Sequence, residues 1–124
     1  MSKDTKIFIQ HILENIERIE SFSKTLSEDE LFKDVLRQYA IIRAVELIGE
    51  SAKNLPNSFK KEHPSIAWKK IIGTRDKVIH QYFGIDLKVI WEIVKKDIPK
   101  LKEEILNVLK EYKKLEGKKE KGKK

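Results

Sequence analysis

The sequence predicts an all-α protein, a bundle of four or five helices followed by a basic, flexible C-terminal tail. Three observations carry that prediction. With only five Gly and three Pro in 124 residues, a turn-rich sandwich or barrel is disfavoured, whereas the abundant Lys, Glu, Ile and Leu favour helices. Apolar residues recur at spacings of three and four over long runs. Residues able to cap a helix stand where those runs begin, and Gly or Pro stands near several of their ends. The length suits one domain with one proper core.

The elements follow in order. From Thr5 to Phe22 the residues Ile9, Ile12, Leu13, Ile16 and Ile19 form an amphipathic stripe, opened by Asp4 or Thr5. Ser27-Glu28-Asp29-Glu30 has the form of a capping box. The helical pattern it opens runs to about Asn54, with an interruption expected near Asp34. Its stripe is Ile41, Ala44, Val45, Ile48, Ala52 and Leu55, widened by Tyr39, Ile42 and Leu47, as expected of a central helix. Pro56 and Pro64 bracket a loop with one short helical turn at residues 57–62. A fourth helical stretch is expected over residues 66–82, irregular at Gly73-Thr74 and stopped by Gly84. Asp86 is a good N-cap for the last helix, which Pro99 should kink or restart from Asp97. The domain is drawn as residues 1–112 and the Lys-rich tail as residues 113–124.

The net charge of +7 is unevenly placed. Residues 113–124, KKLEGKKEKGKK, carry seven Lys and two Glu, so the first 112 residues are nearly balanced at +2. Such a tail is either a solubilising end or an RNA-binding arm with salt-dependent attraction to polyanions. The absence of Cys removes disulfides, thiolate catalysis and Cys-based metal sites. The first residues lack a signal peptide's apolar core, and no run of about 18 apolar residues offers a membrane span, so a cytoplasmic protein with no membrane partner is expected.

The catalytic searches narrow quickly. His11, His63 and His80 are far apart in sequence, with no metal-binding spacing, and Gly49, Gly73 and Gly84 are isolated. What remains is a metal-free, cofactor-free site around a lone histidine, in Arg75-Asp76-Lys77-Val78-Ile79-His80-Gln81-Tyr82. If the helix is continuous, Arg75 falls on the apolar face of Trp68, Ile71, Ile72 and Ile79, where an unpaired charge is costly. Asp76 stands four residues before His80 and could orient its ring and favour its charged form. Arg75 and His80 would then be about 140° apart around an ideal helix. Two copies meeting at a twofold axis could bring both to one atom; an interfacial ion-pair network is the structural alternative. Glu50, on a stripe with Arg43 and Glu46, either supports the site or faces solvent. Trp68 and Trp91 read as core or interface residues, His11 and His63 as surface ones, and Gly49 as a point of close helix packing.

Arg75-x4-His80-x-Tyr82 resembles the R-x4-H-x-Y motif of the HEPN domain superfamily, specifically its HepT-like toxins. The likeness extends to the Arg43–Pro56 block around Ile48-Gly49-Glu50-Ser51-Ala52, and to Pro64–Asp76 with its Trp68 and Gly73-Thr74-Arg75-Asp76. It continues through Ile85-Asp86, Val89-Ile90-Trp91 and Asp97–Leu101, covering roughly residues 5–110. Ser51 stands where Ala is usual, and Thr74 where a hydrophobic residue is expected; neither touches the motif positions.

The resemblance implies a HEPN-type bundle and a homodimeric, metal-independent endoribonuclease acting as the toxin of a toxin–antitoxin pair. Its partner would be a minimal nucleotidyltransferase antitoxin. The substrate would be RNA, cut at a cleft where two motifs meet. His80 would serve as acid or base and Arg75 as phosphate clamp, with Asp76 and Glu50 in support. RNA brings its own 2′-OH nucleophile, so neither metal nor a nucleophilic side chain is required. The antitoxin would transfer AMP to Tyr82. Some superfamily members bind nucleotides or RNA without cutting, which leaves a catalytically silent partner of the nucleotidyltransferase as the alternative.

Overall fold

A computed structural model describes the backbone of residues 1–80 and 84–122, and the side chains of residues 1–74, 84 and 86–117. The chain forms α1 (Lys3–Ser23), α2 (Glu28–Lys33), α3 (Val35–Asn54), α4 (Asn57–Glu62) and α5 (Trp68–Val78). A two-residue ladder of β1 (Ile79–His80) and β2 (Gly84–Ile85) follows. The chain continues through α6 (Leu87–Glu92), a π-helical turn (Ile93–Asp97) and α7 (Ile98–Gly122). It is an all-α bundle, as the sequence predicts, with the small ladder as its one extended feature among the described residues.

Local chemistry explains most boundaries. Ser2, rather than Asp4 or Thr5, caps α1, its Oγ accepting from Thr5 N at 3.1 Å. The box at Ser27 is formed in both directions, Glu30 N to Ser27 Oγ at 3.2 Å and Ser27 N to Glu30 Oε1 at 3.4 Å. Asp34 ends α2 and caps α3, accepting from Arg37 N at 3.0 Å. That N–H and the Arg37 guanidinium hold the Asp34 carboxyl below the usual carboxylate range. The cap therefore contributes fully above that range and weakens as the pH falls through it.

Helix α3 lies centrally, packed against α1, α2, α5 and α6. Ile9, Ile12, Ile16 and Ile19 of α1 meet its Ile41, Val45, Ile48 and Ala52 in a core completed by Ile90, Ile98, Leu101 and Ile105. Its breadth comes from buried Ile42 and half-buried Leu47. Tyr39, counted toward that face from sequence, is instead 61% exposed, beside Val35 and Leu36 at 58% and 84%.

The Phe59 ring of α4 packs 4.7 Å from His63 and 6.2 Å from Tyr112, and Trp68 Nε1 donates to the His63 carbonyl oxygen at 3.0 Å. His63, expected at the surface, is half-buried. Its Nε2 is buried and has no hydrogen-bond partner among the described residues. Trp68 is core, as expected, whereas Trp91 is half-buried with Lys95 Nζ 4.7 Å above its ring.

The course of the later helices differs from expectation at Gly73-Thr74 and in the Lys-rich segment, and at Pro99 the disturbance is the one expected but without a restart. Helix α5 runs unbroken through Gly73-Thr74, the Thr74 hydroxyl donating to the Lys70 carbonyl at 2.6 Å. Pro99 neither restarts the last helix nor draws Asp97 into a cap. Because Pro99 has no N–H to return to the carbonyl one α-turn back, the preceding turn widens, and Ile98 N–H bonds to Ile93 O. Asp97 pairs with Lys70 Nζ at 3.2 Å instead. Helix α7 then continues through the Lys-rich segment to Gly122, where the sequence predicts a flexible tail.

Gly49 fixes the spacing of α3 and α5. A Cβ at this position would lie 3.4 Å and 3.5 Å from the carbonyl oxygens of Ile71 and Ile72. Gly49→Ala should therefore be tolerated, and should gain up to about 1 kcal/mol from helix propensity. Gly49→Leu should overpack the contact and cost about 1–3 kcal/mol. Urea unfolding of both variants measures the difference.

Candidate functional site

The Arg75–Tyr82 segment is reached through α5. Its start is held by the Trp68 indole, and its middle by the contact of Ile71 and Ile72 with Gly49. Arg75 and Asp76 occupy the last turn of the helix, which ends at Val78. His80 lies beyond it. Ile79 pairs with Ile85 and His80 with Gly84 in the antiparallel ladder. Gly84 has φ of +79°, a left-handed conformation open to glycine at no steric cost. Asp86 then caps α6, its Oδ1 accepting from Val89 N at 3.2 Å.

This changes the geometry expected from sequence. His80 is not on the helix that carries Arg75 and Asp76. The helical i,i+4 relation between Asp76 and His80, and the separation of about 140° between Arg75 and His80, therefore do not apply. The consecutive β-branched residues Val78 and Ile79, with a left-handed glycine to reverse the chain, favour the extended exit. The structure brings the backbones of Arg75, Asp76 and His80 within six residues of chain, at the junction of a helix end and a ladder. Their side chains, and Tyr82 altogether, lie outside the described residues.

Glu50 is on α3, directly after the glycine that meets α5. It is exposed, and its carboxylate makes no hydrogen bond or ion pair among the described residues. The acid drawn further into the structure is Glu46, whose side chain is only 20% exposed and whose Oε2 accepts from Arg43 at 3.3 Å. Its position between Val45 and Leu47, inside the widened apolar face, was the available signal in the sequence.

Beside α5 lies a cavity of about 100 Å³ with apolar walls from Val45, Ile48, Ile71 and Leu101. The Lys70–Asp97 pair is at its edge, and Thr74, the residue before Arg75, also lines it. The pair is about half exposed on both sides, so it is worth no more than about 1 kcal/mol. No set of three His, Asp or Glu side chains among the described residues could hold a metal ion. No helix among them is long and apolar enough to cross a membrane.

Comparison with known proteins places this sequence in a family. Residues 12–108, which include α3, α5 and the whole motif segment, match the family described as ribonuclease HepT-like. The chain belongs to the HepT-like ribonuclease family, within the HEPN superfamily. It is 46% identical over 102 residues to a Thermococcus cleftensis protein named "Probable ribonuclease HepT", covering 82% of this chain and 93% of that one. It is 51% identical over 111 residues to a Methanocaldococcus jannaschii protein named "Gamma-glutamylcyclotransferase and putative RNase", covering 90% of this chain but only 50% of the relative. A Caldanaerobacter subterraneus protein named "Putative RNase" is 38% identical over 111 residues, with 99% of its length covered. No solved structure gives a significant match.

The ladder depends on Gly84. Gly84→Ala should cost about 1–2 kcal/mol, because an L side chain is strained at that φ, while Gly84→Asn should cost less. Thermal unfolding of the two variants should give that order.

Proposed function

We propose that this HepT-like chain is a metal-independent endoribonuclease, with Arg75 and His80 as its catalytic residues, acting as a homodimeric toxin. The observation that carries the reading is Arg75-x4-His80-x-Tyr82 standing inside the matched residues 12–108. The ribonuclease part of the double-named relative's name is the part carried to this chain. Two relatives named for ribonuclease alone are covered over 93% and 99% of their length, whereas the double-named one is covered over half.

The chemistry needs little from the protein. The ribose 2′ oxygen attacks the neighbouring phosphorus and the 5′ oxygen leaves. One His80 accepts the 2′ proton, and the His80 of a second copy donates a proton to the departing oxygen. Arg75 clamps the crowded phosphate with its two-pronged guanidinium. The exit of His80 from α5 strengthens the case for the ladder as its support, and leaves the dimer resting on the family resemblance. The exposed Val35, Leu36 and Tyr39 offer apolar surface for association. Asp76 is assigned to orient Arg75 or His80, and Glu50 to a supporting role at the rim.

Arg75→Ala and His80→Ala should each slow RNA cleavage by about 10²–10³-fold. Both variants should stay folded and should show twice the 14.6 kDa chain mass by light scattering. Cleavage should persist in EDTA and spare DNA, which lacks the 2′-OH. Loss of cutting on chelation, or full activity in His80→Ala, would overturn the mechanism. A protein that binds RNA or nucleotides without ever cutting would instead be the silent partner of a nucleotidyltransferase.

Tyr82 is assigned as the acceptor of AMP from a minimal nucleotidyltransferase antitoxin. The phenolic oxygen would attack the α-phosphorus of ATP, lose its proton and release pyrophosphate. The added phosphate, two residues from His80, would compete with RNA for Arg75. Incubation with that enzyme, ATP and Mg²⁺ should add one AMP to the peptide containing Tyr82 and abolish cutting without unfolding. Tyr82→Phe should escape the modification. Modification at another residue, or an AMP-bearing protein that still cuts, would defeat the assignment.

A further inference from the structure

We propose that the C-terminal part of α7 is an RNA-binding arm, in which Lys110, Lys114, Lys118 and Lys121 form one phosphate-contacting stripe. The choice of RNA rests on the ribonuclease reading above. The stripe itself rests on how the helix sorts the charges.

Helix α7 is continuous to Gly122, well past the end of the family match at residue 108. Its core-facing side is Leu101, Ile105 and Val108, ending with half-buried Tyr112. At 100° per residue, positions 110, 114, 118 and 121 fall within an arc of about 80°, centred nearly opposite that buried side. Lys110 and Lys114 are exposed, as that placement requires. The positions of Glu116 and Glu120 fall on the other side of the helix, while exposed Glu111 borders the stripe at its first turn. The sequence shows only a lysine-rich run with two glutamates in it. Over positions 110–121 the helical backbone aligns four lysines in a basic line about 16 Å long, with the two acids of the lysine-rich segment, Glu116 and Glu120, set apart from it.

Three features favour a polyanion over the other uses of such a helix. Residues 113–122 contain a single large apolar side chain, Leu115, so there is no hydrophobic face to lie in a membrane. The residues ahead of position 113 are nearly neutral at +2, so the cationic surface is concentrated on this arm. Gly117 and Gly122 and the repelling lysines weaken the helix by themselves, so neutralisation by phosphates would reinforce it.

The test uses the full chain and a fluorescein-labelled 2′-O-methyl oligonucleotide, which can be bound but not cut. Lys114→Gln, Lys118→Gln and Lys121→Gln together remove three charges from the stripe. Lys113→Gln, Lys119→Gln and Lys123→Gln together remove three charges from other positions. The stripe variant should lose at least about tenfold in affinity at low salt, and its salt slope should fall by about two, while the control keeps most of both. Truncation after Leu115 should reproduce much of the stripe variant's loss and leave the bundle folded by circular dichroism.

Equal losses in the two variants would show that net charge alone matters, and would overturn the stripe. Unfolding of the bundle in the truncated chain would show that the segment is structural, and would equally overturn the arm. A stripe variant that loses binding to anionic phosphatidylserine vesicles but not to the oligonucleotide would make the arm a membrane device and reject RNA. Cleavage of unmodified RNA is read separately. A chain that binds through the stripe without cutting defeats the ribonuclease reading only, and a cutting chain with an unaffected stripe variant defeats the arm only.

Discussion

The closeness of α3 and α5 at Gly49 is the constraint on which the motif's position depends. A Cβ at that point would already be in van der Waals contact with the carbonyl oxygens of Ile71 and Ile72, so a side chain much larger than alanine's would push the two helices apart. That contact sets the height and tilt of α5 on the central helix. The Trp68 bond to the His63 carbonyl fixes where α5 begins, and Arg75 stands one turn beyond the contact. From Val78 onward the chain is held by backbone pairing, Ile79 to Ile85 and His80 to Gly84, and then by the Asp86 cap on α6. Arg75 and His80 are therefore carried by different kinds of support. Arg75 sits on a packed helix, and His80 on a short ladder whose partner strand opens with Gly84 in a left-handed conformation.

Much of the helical framework was legible because its signals are local. The capping box at Ser27, the break at Asp34, the short helix between Pro56 and Pro64 and the cap at Asp86 each depend on residues within a few positions of one another. The misreadings are tertiary or cooperative. Nothing within α3 distinguishes Tyr39 from Ile42, since both widen the apolar face; only the packing of α1 and α2 decides which is covered. His63 looked peripheral because its burial comes from Phe59 on one side and Tyr112, 49 positions later, on the other. At Pro99 the rule that proline disturbs a helix held, but the disturbance moved upstream into a π turn. Widening one turn keeps the apolar register of Ile98, Leu101 and Ile105 on the core, which a break at Asp97 would have put at risk.

The site divides in the same way. Its residue types and spacing were legible as a motif, and the family match covers the segment that holds them. Its geometry was not, because the ideal-helix separation of Arg75 and His80 assumed a helix running past Val78, where α5 in fact ends. The β-branched Val78 and Ile79 only lean away from the helix, and the pairing of Ile79 with Ile85, remote from any local signal, accompanies its end. The proposed chemistry survives the correction because it never needed helical spacing. It needs a titratable ring and a guanidinium near one phosphate, and a ladder can present a ring as well as a helix can.

Charge placement adds a last constraint on how such a protein could meet RNA. A body near neutrality gives little long-range attraction to phosphate, so two cationic groups per chain at the motif would contribute mainly once the substrate is already seated. Attraction and registration would then have to come from elsewhere on the molecule. The segment beyond residue 112 holds seven of the 27 basic residues, five of them on the last part of α7, past half-buried Tyr112. The exposed apolar surface at Val35, Leu36 and Tyr39 lies on the body rather than in the lysine-rich segment, and Arg37 beside it is paired to Asp34. A second copy could approach that surface without the repulsion that a uniformly basic body would impose. Capture of a polyanion and association with a like-charged copy make opposite electrostatic demands, and moving the excess lysines to one end of the chain reconciles them.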